Sequence, residues 1–173
     1  MDDYSLKPGE FDNLSGDLGQ ISFVEYISQK AIGKSSRSNP VTYIKAYDDI
    51  RKLFSSQRES KIRGYKPKHF SFNVDGGRCE TCKGEGTITI EMQFMPDVNL
   101  VCDSCNGNRF KNEILEIRIN NKNISDILDL TVDDAIIFFK DLKENKIAEK
   151  LIVLQKVGLG YIKLGQSSST LSG

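Results

Sequence analysis

Three observations predict an α+β protein, built of helices and short antiparallel strands with an inserted cysteine-bearing hairpin. Two stretches alternate apolar with polar residues at period two: Ile88, Ile90, Met92 and Phe94, then Leu115, Ile117 and Ile119. Three others carry apolar stripes at helical spacing between capping and stop residues. All four cysteines fall between Arg78 and Phe110, as two C-x2-C pairs with nineteen residues between them.

In chain order, residues 1–20 are rich in Gly, Asp, Asn and Ser and read as loop. "QISFVEYIS" has β-rich alternation and predicts a strand near 21–27. A basic polar loop, "KAIGKSSRSNP", follows. Asn39 then Pro40 form a helix start, an N-cap side chain before proline at the first helical position. Tyr43, Ala46, Tyr47, Ile50, Leu53 and Phe54 place one apolar face on a helix running to about 55. A strand is predicted near "HFSFNV". The alternations above predict half-buried strands at 87–94 and 115–119. "NNKN" at 120–123 is turn material, and Ile124 to Leu128 a short helix or turn. Thr131 caps a helix whose buried stripe is Val132, Ala135, Ile136, Phe139 and Leu142. Ile147, Leu151, Leu154 and Val157 mark another helix, stopped by Gly158 and Gly160. The tail "GQSSSTLSG" reads as polar loop.

The 173 residues fit one ordinary domain, or one domain with a smaller insert. With 38% hydrophobic and 28% charged residues, a folded core is predicted rather than wholesale disorder. No apolar run approaches the roughly 20 residues of a membrane helix. The start shows no secretory signal, so a cytoplasmic location is the expectation. There thiols stay reduced, and paired C-x2-C motifs point to metal more than to disulfides. Charge is neutral in sum but uneven. Residues 30–68 hold eleven lysines or arginines against Asp48, Asp49 and Glu59, a local excess of eight. Such a band marks an anion or nucleic-acid face, or simply a solvated lysine-rich helix and loop; charge alone leaves both open.

The cysteine spacing is more specific. Zn²⁺ takes four tetrahedral ligands, and thiolates suit it. Each C-x2-C turn supplies one edge of the tetrahedron, and the intervening hairpin brings the edges together. Cys79, Cys82, Cys102 and Cys105 are therefore the predicted ligands of a closed, structural site. Gly84, Gly86 and Gly107 allow positive φ beneath the metal, so that amides point at the sulfurs. Four thiolates leave the centre at about −2, which favours nearby Arg78, Lys83 and Arg109. A redox dithiol would need one pair beside a βαβ pattern, not two in glycine-rich turns. His69, the only histidine, is not needed as a ligand and is expected at a strand edge. "IGKSS" at 32–36 imitates the end of a phosphate loop, but five residues before Gly33 stands Ser28, not glycine, so that reading fails.

The phrases "IGKSSRSNPVTYIKAYDDIRKLF", "FSFNVDGGRCETCKGEG", "IEMQFMPDV", "DILDLTVDDA" and "VGLGYIKLGQSSSTLSG" stand in this order. From about Leu6 to the last residue, the chain resembles the second ATP-binding half of the bacterial UvrA family, the excinuclease ATPases of nucleotide excision repair. The resemblance implies an ABC-type ATPase that dimerises with a second protomer, scans double-stranded DNA for damage and passes lesions to a helicase partner, UvrB. It implies residues 1–40 as the Q-loop segment of a nucleotide-binding core. Residues 41–173 become an ABC-type signature subdomain, with 70–119 as its Zn²⁺-binding insert. Gln29 resembles the Q-loop glutamine, which senses nucleotide and metal. Ser172 and Gly173 open a signature similar to LSGGE, whose amides meet the γ-phosphate of ATP; ATP and Mg²⁺ are thus implied for the full-length family member. The loop from Gly33 to Asn39 is similar to a basic segment facing DNA, with Lys34 and Arg37 as contacts.

Departures accompany the resemblance. Ala31 and Ser36 stand where the family usually has prolines, and Lys34 replaces a common arginine, losing bidentate geometry. No Walker A motif precedes Gln29, and the sequence stops inside the signature, before Walker B. The expectation is a piece of a longer protein that does not hydrolyse ATP alone. Two rivals are a DnaJ-type cysteine-rich chaperone module, suggested by "CETCKGEG" but lacking its four tandem repeats and HPD, and a free-standing zinc DNA-binding module.

Overall fold

The structure is a computed structural model that describes residues 9–13, 15–25 and 37–170, apart from the Ser169 side chain. The chain divides into two compact units, Met1–Lys30 and Ala31–Gly173. In the first, the described residues are exposed and form a single 3-10 turn, Leu18–Gln20. Residues 21–25 are not a strand: Ile21, Phe23 and Val24 are exposed, and no neighbouring strand pairs with them among the described residues. The rest of that predicted element lies outside the described residues.

The second unit begins with the predicted cap. The Asn39 side chain accepts from the Thr42 N–H at 3.1 Å, and the Thr42 hydroxyl accepts from the Asn39 N–H, closing a capping box over α1, Pro40–Tyr43. The predicted single helix is instead two. Val41 N–H donates to the Leu164 carbonyl, tying α1 to the far end of the chain, and Lys45 turns at φ 55°. α2, Tyr47–Ser56, then starts in a direction that buries Tyr47, Ile50 and Phe54. α3, Arg58–Ile62, follows at once.

The predicted strand at "HFSFNV" is a 3-10 turn, Pro67–Phe70, followed by bends. Phe70 and Phe72 are buried, which explains the alternation, yet no strand neighbours them among the described residues. A side chain takes the place of a ladder partner: Tyr47 Oη donates to the Phe70 carbonyl at 2.8 Å. Burial holds the Tyr47 hydroxyl well above its usual pKa, so it stays a neutral donor.

β1, Thr87–Ile90, pairs antiparallel with β2, Val98–Val101, in the register Thr87–Val101 to Ile90–Val98. The hairpin is shorter than predicted and both strands are exposed along their length, not half-buried. The predicted strand at 115–119 is also corrected. α4 spans Asn112–Leu115, and Ile114 and Ile117, three residues apart, both reach the core. Ile119 and Lys122 exchange hydrogen bonds around a turn with Asn120 and Asn121 at positive φ. The turn was legible because asparagine tolerates that conformation.

The remaining helices follow the sequence reading. α5, Ile124–Asp129, is boxed by Asn123 and Asp126. In α6, Val132–Asp141, the Thr131 hydroxyl accepts from the Asp134 N–H at 3.1 Å. α7, Asn145–Lys156, ends with Gly158 at φ 82° and the Leu159 N–H on the Leu154 carbonyl, a Schellman stop. Val157, predicted inside, is exposed. Among the described residues no helix is long and apolar enough to cross a membrane.

Candidate metal centre

The two C-x2-C turns are near copies, offset by one repeat. In each, the residue after the second cysteine and the next one take positive φ: Lys83 and Gly84 at 52° and 86°, Asn106 and Gly107 at 48° and 81°. Two positions further on the pattern recurs, with Gly86 at 80° and Arg109 at 70°. The copies then pair reciprocally. Cys79 N–H donates to the Arg109 carbonyl at 2.8 Å, and Cys102 N–H to the Gly86 carbonyl at 3.0 Å. Thr81 Oγ1 donates to Ser104 Oγ across the join at 2.9 Å. Glycine is required at position 84: a Cβ there would lie 2.0 Å from the Phe72 carbonyl oxygen.

This pairing gathers the four sulfurs. Cys79 Sγ lies 3.9 Å from Cys102 Sγ, and Cys82 Sγ 3.7 Å from Cys105 Sγ. All four ligand atoms lie within 4.8 Å of one another, and all four residues are buried free cysteines. With Zn–S bonds of about 2.3 Å, a tetrahedron has S···S edges of about 3.8 Å. The donor set and its spacing fit Zn²⁺. The Gly86 N–H points at Cys82 Sγ at 3.2 Å, as anticipated for amides beneath the centre. Burial pushes the thiols of Cys82 and Cys105 up, the latter to about 12. Burial acts on Cys79 as well, but N–H bonds from Cys82 and Thr81 and the neighbouring sulfurs bring it down to about 7. A cation among the sulfurs favours the ionised form of all four.

The nearby cations have structural work. Arg78 Nη1 donates to the carbonyls of Asn73 and Lys83, both at 3.3 Å, and its guanidinium pairs with Asp75. Arg109 lies over the Phe72 ring, 5.5 Å from its centroid. Phe72 in turn packs on Tyr47 and Phe110, with centroids at 5.1 and 6.5 Å, and so joins the cysteine turns to the core. The sequence placed Arg78 and Arg109 beside the centre for charge balance, but their seat on Phe72 and on the turn carbonyls was missed. Its one visible signal is Arg109, which occupies the place that glycine holds in the first turn.

Of the other predicted site residues, Arg37 reaches the first cysteine turn, with Nη2 3.5 Å from the Lys83 carbonyl and Nε 3.5 Å from Glu85. Gln29, Lys34, Ser172 and Gly173 lie outside the described residues. His69 is no strand-edge residue; its Nδ1 accepts from the Lys66 N–H at 2.9 Å inside the 3-10 turn.

These features define a class: a small helical unit carrying a two-stranded hairpin rooted in a four-thiol centre. No protein-family model matches the chain. It is 51% identical over 167 residues to UvrABC system protein A of Streptococcus pyogenes serotype M3, covering 96% of this chain and 17% of that protein. UvrABC system protein A of Staphylococcus epidermidis is 51% identical over 168 residues, 97% of this chain and 18% of the relative. The crystal structure of UvrA2 from Deinococcus radiodurans superposes with a TM-score of 0.81 at 47% identity, over 91% of this chain and 19% of that one. The chain belongs to the UvrA family, and it spans less than a fifth of the length of these relatives. A chaperone module or a free-standing zinc module accounts for the cysteines alone, not for a match that runs nearly end to end.

Proposed function

We propose that this chain supplies the zinc-bearing signature subdomain of a UvrA-type DNA-damage recognition ATPase acting in nucleotide excision repair. The observation that carries the reading is the buried four-sulfur cluster, in a chain that matches UvrA along almost its whole length. Cys79, Cys82, Cys102 and Cys105 would hold Zn²⁺ structurally, since all four donors are protein atoms. Residues 1–40 then belong to the nucleotide-binding core, 41–173 to the signature subdomain, and 70–119 to the insert. Gln29, Ser172 and Gly173 contribute to a composite ATP and Mg²⁺ site completed by other segments. Lys34 and Arg37 contact double-stranded DNA through phosphates, which position but carry no base information. Arg37 would exchange its contacts on Lys83 and Glu85 for a phosphate. The partners of the reading are damaged DNA, a second UvrA protomer and the UvrB helicase, in the cytoplasm.

The test has two arms. Metal analysis of protein purified without chelator should give one zinc per chain, lost in Cys102→Ser. A salt titration of duplex DNA binding should show a log–log slope of about −0.9 per phosphate contact. Lys34→Glu with Arg37→Glu should flatten that slope on every sequence alike. Absence of zinc sinks the metal assignment. A slope that survives this pair but falls when Arg78, Lys83 and Arg109 are replaced puts the DNA face on the hairpin instead.

A further inference from the structure

The hairpin carries a surface that neither the metal nor the DNA reading uses. Directly opposed residues of an antiparallel pair share a face, so Ile88, Leu100, Ile90 and Val98 lie together on one side of the sheet. The other side carries Thr87, Thr89, Asn99 and Val101, with Thr89 Oγ1 donating to Asn99 Oδ1 at 2.6 Å. The four aliphatic residues are 40–50% exposed, and beyond them Met95 is 63% and Phe94 95% exposed. A contiguous apolar face left in water marks an interaction site. An isolated two-stranded hairpin is marginal by itself. This one is rooted at both ends in the paired cysteine turns, so its apolar face is not what holds it together.

Charge selects the occupant. Residues 84–108 contain Glu85, Glu91, Asp97 and Asp103 and not one lysine, arginine or histidine. Glu91 and Asp97 flank the tip, where Asp97 Oδ1 accepts from the Met92 N–H. Phosphate backbones are held by Lys and Arg, which the strands and tip of the hairpin lack. Two hairpins face to face would set the same carboxylates against each other, which costs several kcal/mol for close like charges. We propose that the aliphatic face and tip of this hairpin dock a basic amphipathic segment of another protein, in which apolar residues alternate with Lys or Arg. Added as a strand at the sheet edge, that segment would continue the aliphatic side with its apolar residues, beside Ile88, Ile90, Val98 and Leu100, and carry its cations on the Thr89/Asn99 side, where alternation places Glu91 and Asp97. Met92 and Met95 supply an adaptable margin. Each strand has a single neighbour among the described residues, so an outer edge is open to strand addition.

The experiment uses the full chain with labelled Ile, Leu, Val and Met methyls, followed by NMR. It is titrated with a short synthetic Lys–Val alternating peptide, a Glu–Val counterpart and a mixed-sequence DNA duplex. The Lys–Val peptide should shift the methyls of Ile88, Ile90, Val98 and Leu100. Phe94→Ser with Met95→Ser should weaken it about tenfold, the loss of one interface anchor. Glu91→Gln with Asp97→Asn should remove its salt sensitivity. These residues are exposed, so both variants should keep the parent's metal content and helical signal. The proposal is overturned if the cationic peptide leaves the hairpin methyls unmoved or binds the Phe94/Met95 variant as tightly. It is equally overturned if the Glu–Val peptide or the duplex moves those methyls as well, or if raising the protein concentration alone does so.

Discussion

The cysteine hairpin and the α6–α7 pair are of similar length and stand by different means. In α6 and α7, Val132, Ala135, Ile136, Phe139, Ile147, Ala148, Leu151 and Leu154 are buried in the apolar core. Each of the Val, Ile, Leu and Phe side chains among them contributes about 1.5–3 kcal/mol on leaving water. In the hairpin, β1 and β2 bury nothing, and the buried cluster at its root is the four cysteines. One region is held by many interchangeable contacts, the other by four atoms that have no substitutes. The difference predicts which region survives which injury.

The largest effect should come from the centre itself. Metal-site folding energies are on the order of 10–16 kcal/mol in small finger peptides. Chelation, or Cys102→Ser, should therefore erase amide-exchange protection across 87–101, while α6 and α7 keep theirs. Equal loss of protection in both regions would show that they are one cooperative unit and end the contrast.

Phe72 sits where the two regimes meet, between Tyr47 and Phe110 and beneath Arg109. Phe72→Ala should cost about 3–5 kcal/mol in denaturant unfolding, as buried aromatic truncations do. It should also raise the rate of zinc release to a chelator, because the seat of the cysteine turns is lost. A stability loss with unchanged release would mean that the turns hold themselves.

The smallest effect tests the helical side. Asp49 on α2 meets Lys150 Nζ at 2.6 Å and Lys146 Nζ at 3.3 Å, both on α7. The Lys150 hydrogen bond holds its carboxyl below the usual carboxylate range; partial burial opposes this and Lys146 adds to it. A depressed folded pKa contributes stability above the unfolded value of about 3.9, lost as pH falls through the lower folded value. Asp49→Asn should therefore cost up to about 1 kcal/mol at pH 7. Urea midpoints of variant and parent should converge as the pH is lowered through that window. A gap that stays constant with pH would assign the cost to packing rather than charge.

What could be read in the sequence was what short-range chemistry decides. Asn39, Thr131 and Gly158 mark helix ends because their partners lie within a few residues. The C-x2-C spacing and its glycines define each turn for the same reason, and the turns then find each other through matching amides and carbonyls. The roles proposed for Gln29 and Ser172, which lie outside the described residues, came from the family phrases and not from local chemistry. Tertiary structure decided the rest. Period-two patterns at 69–74 and 115–119 were the trace of a shared core, with the Phe70 carbonyl met by Tyr47 and Leu115 standing on a helix. The break at Lys45 and the bond of α1 to Leu164, more than a hundred residues away, have no local signal in the sequence. The true alternation of β1 gave no hint that its apolar face would stay in water. Periodicity records which residues share a side; whether anything lies against that side is settled by the rest of the molecule.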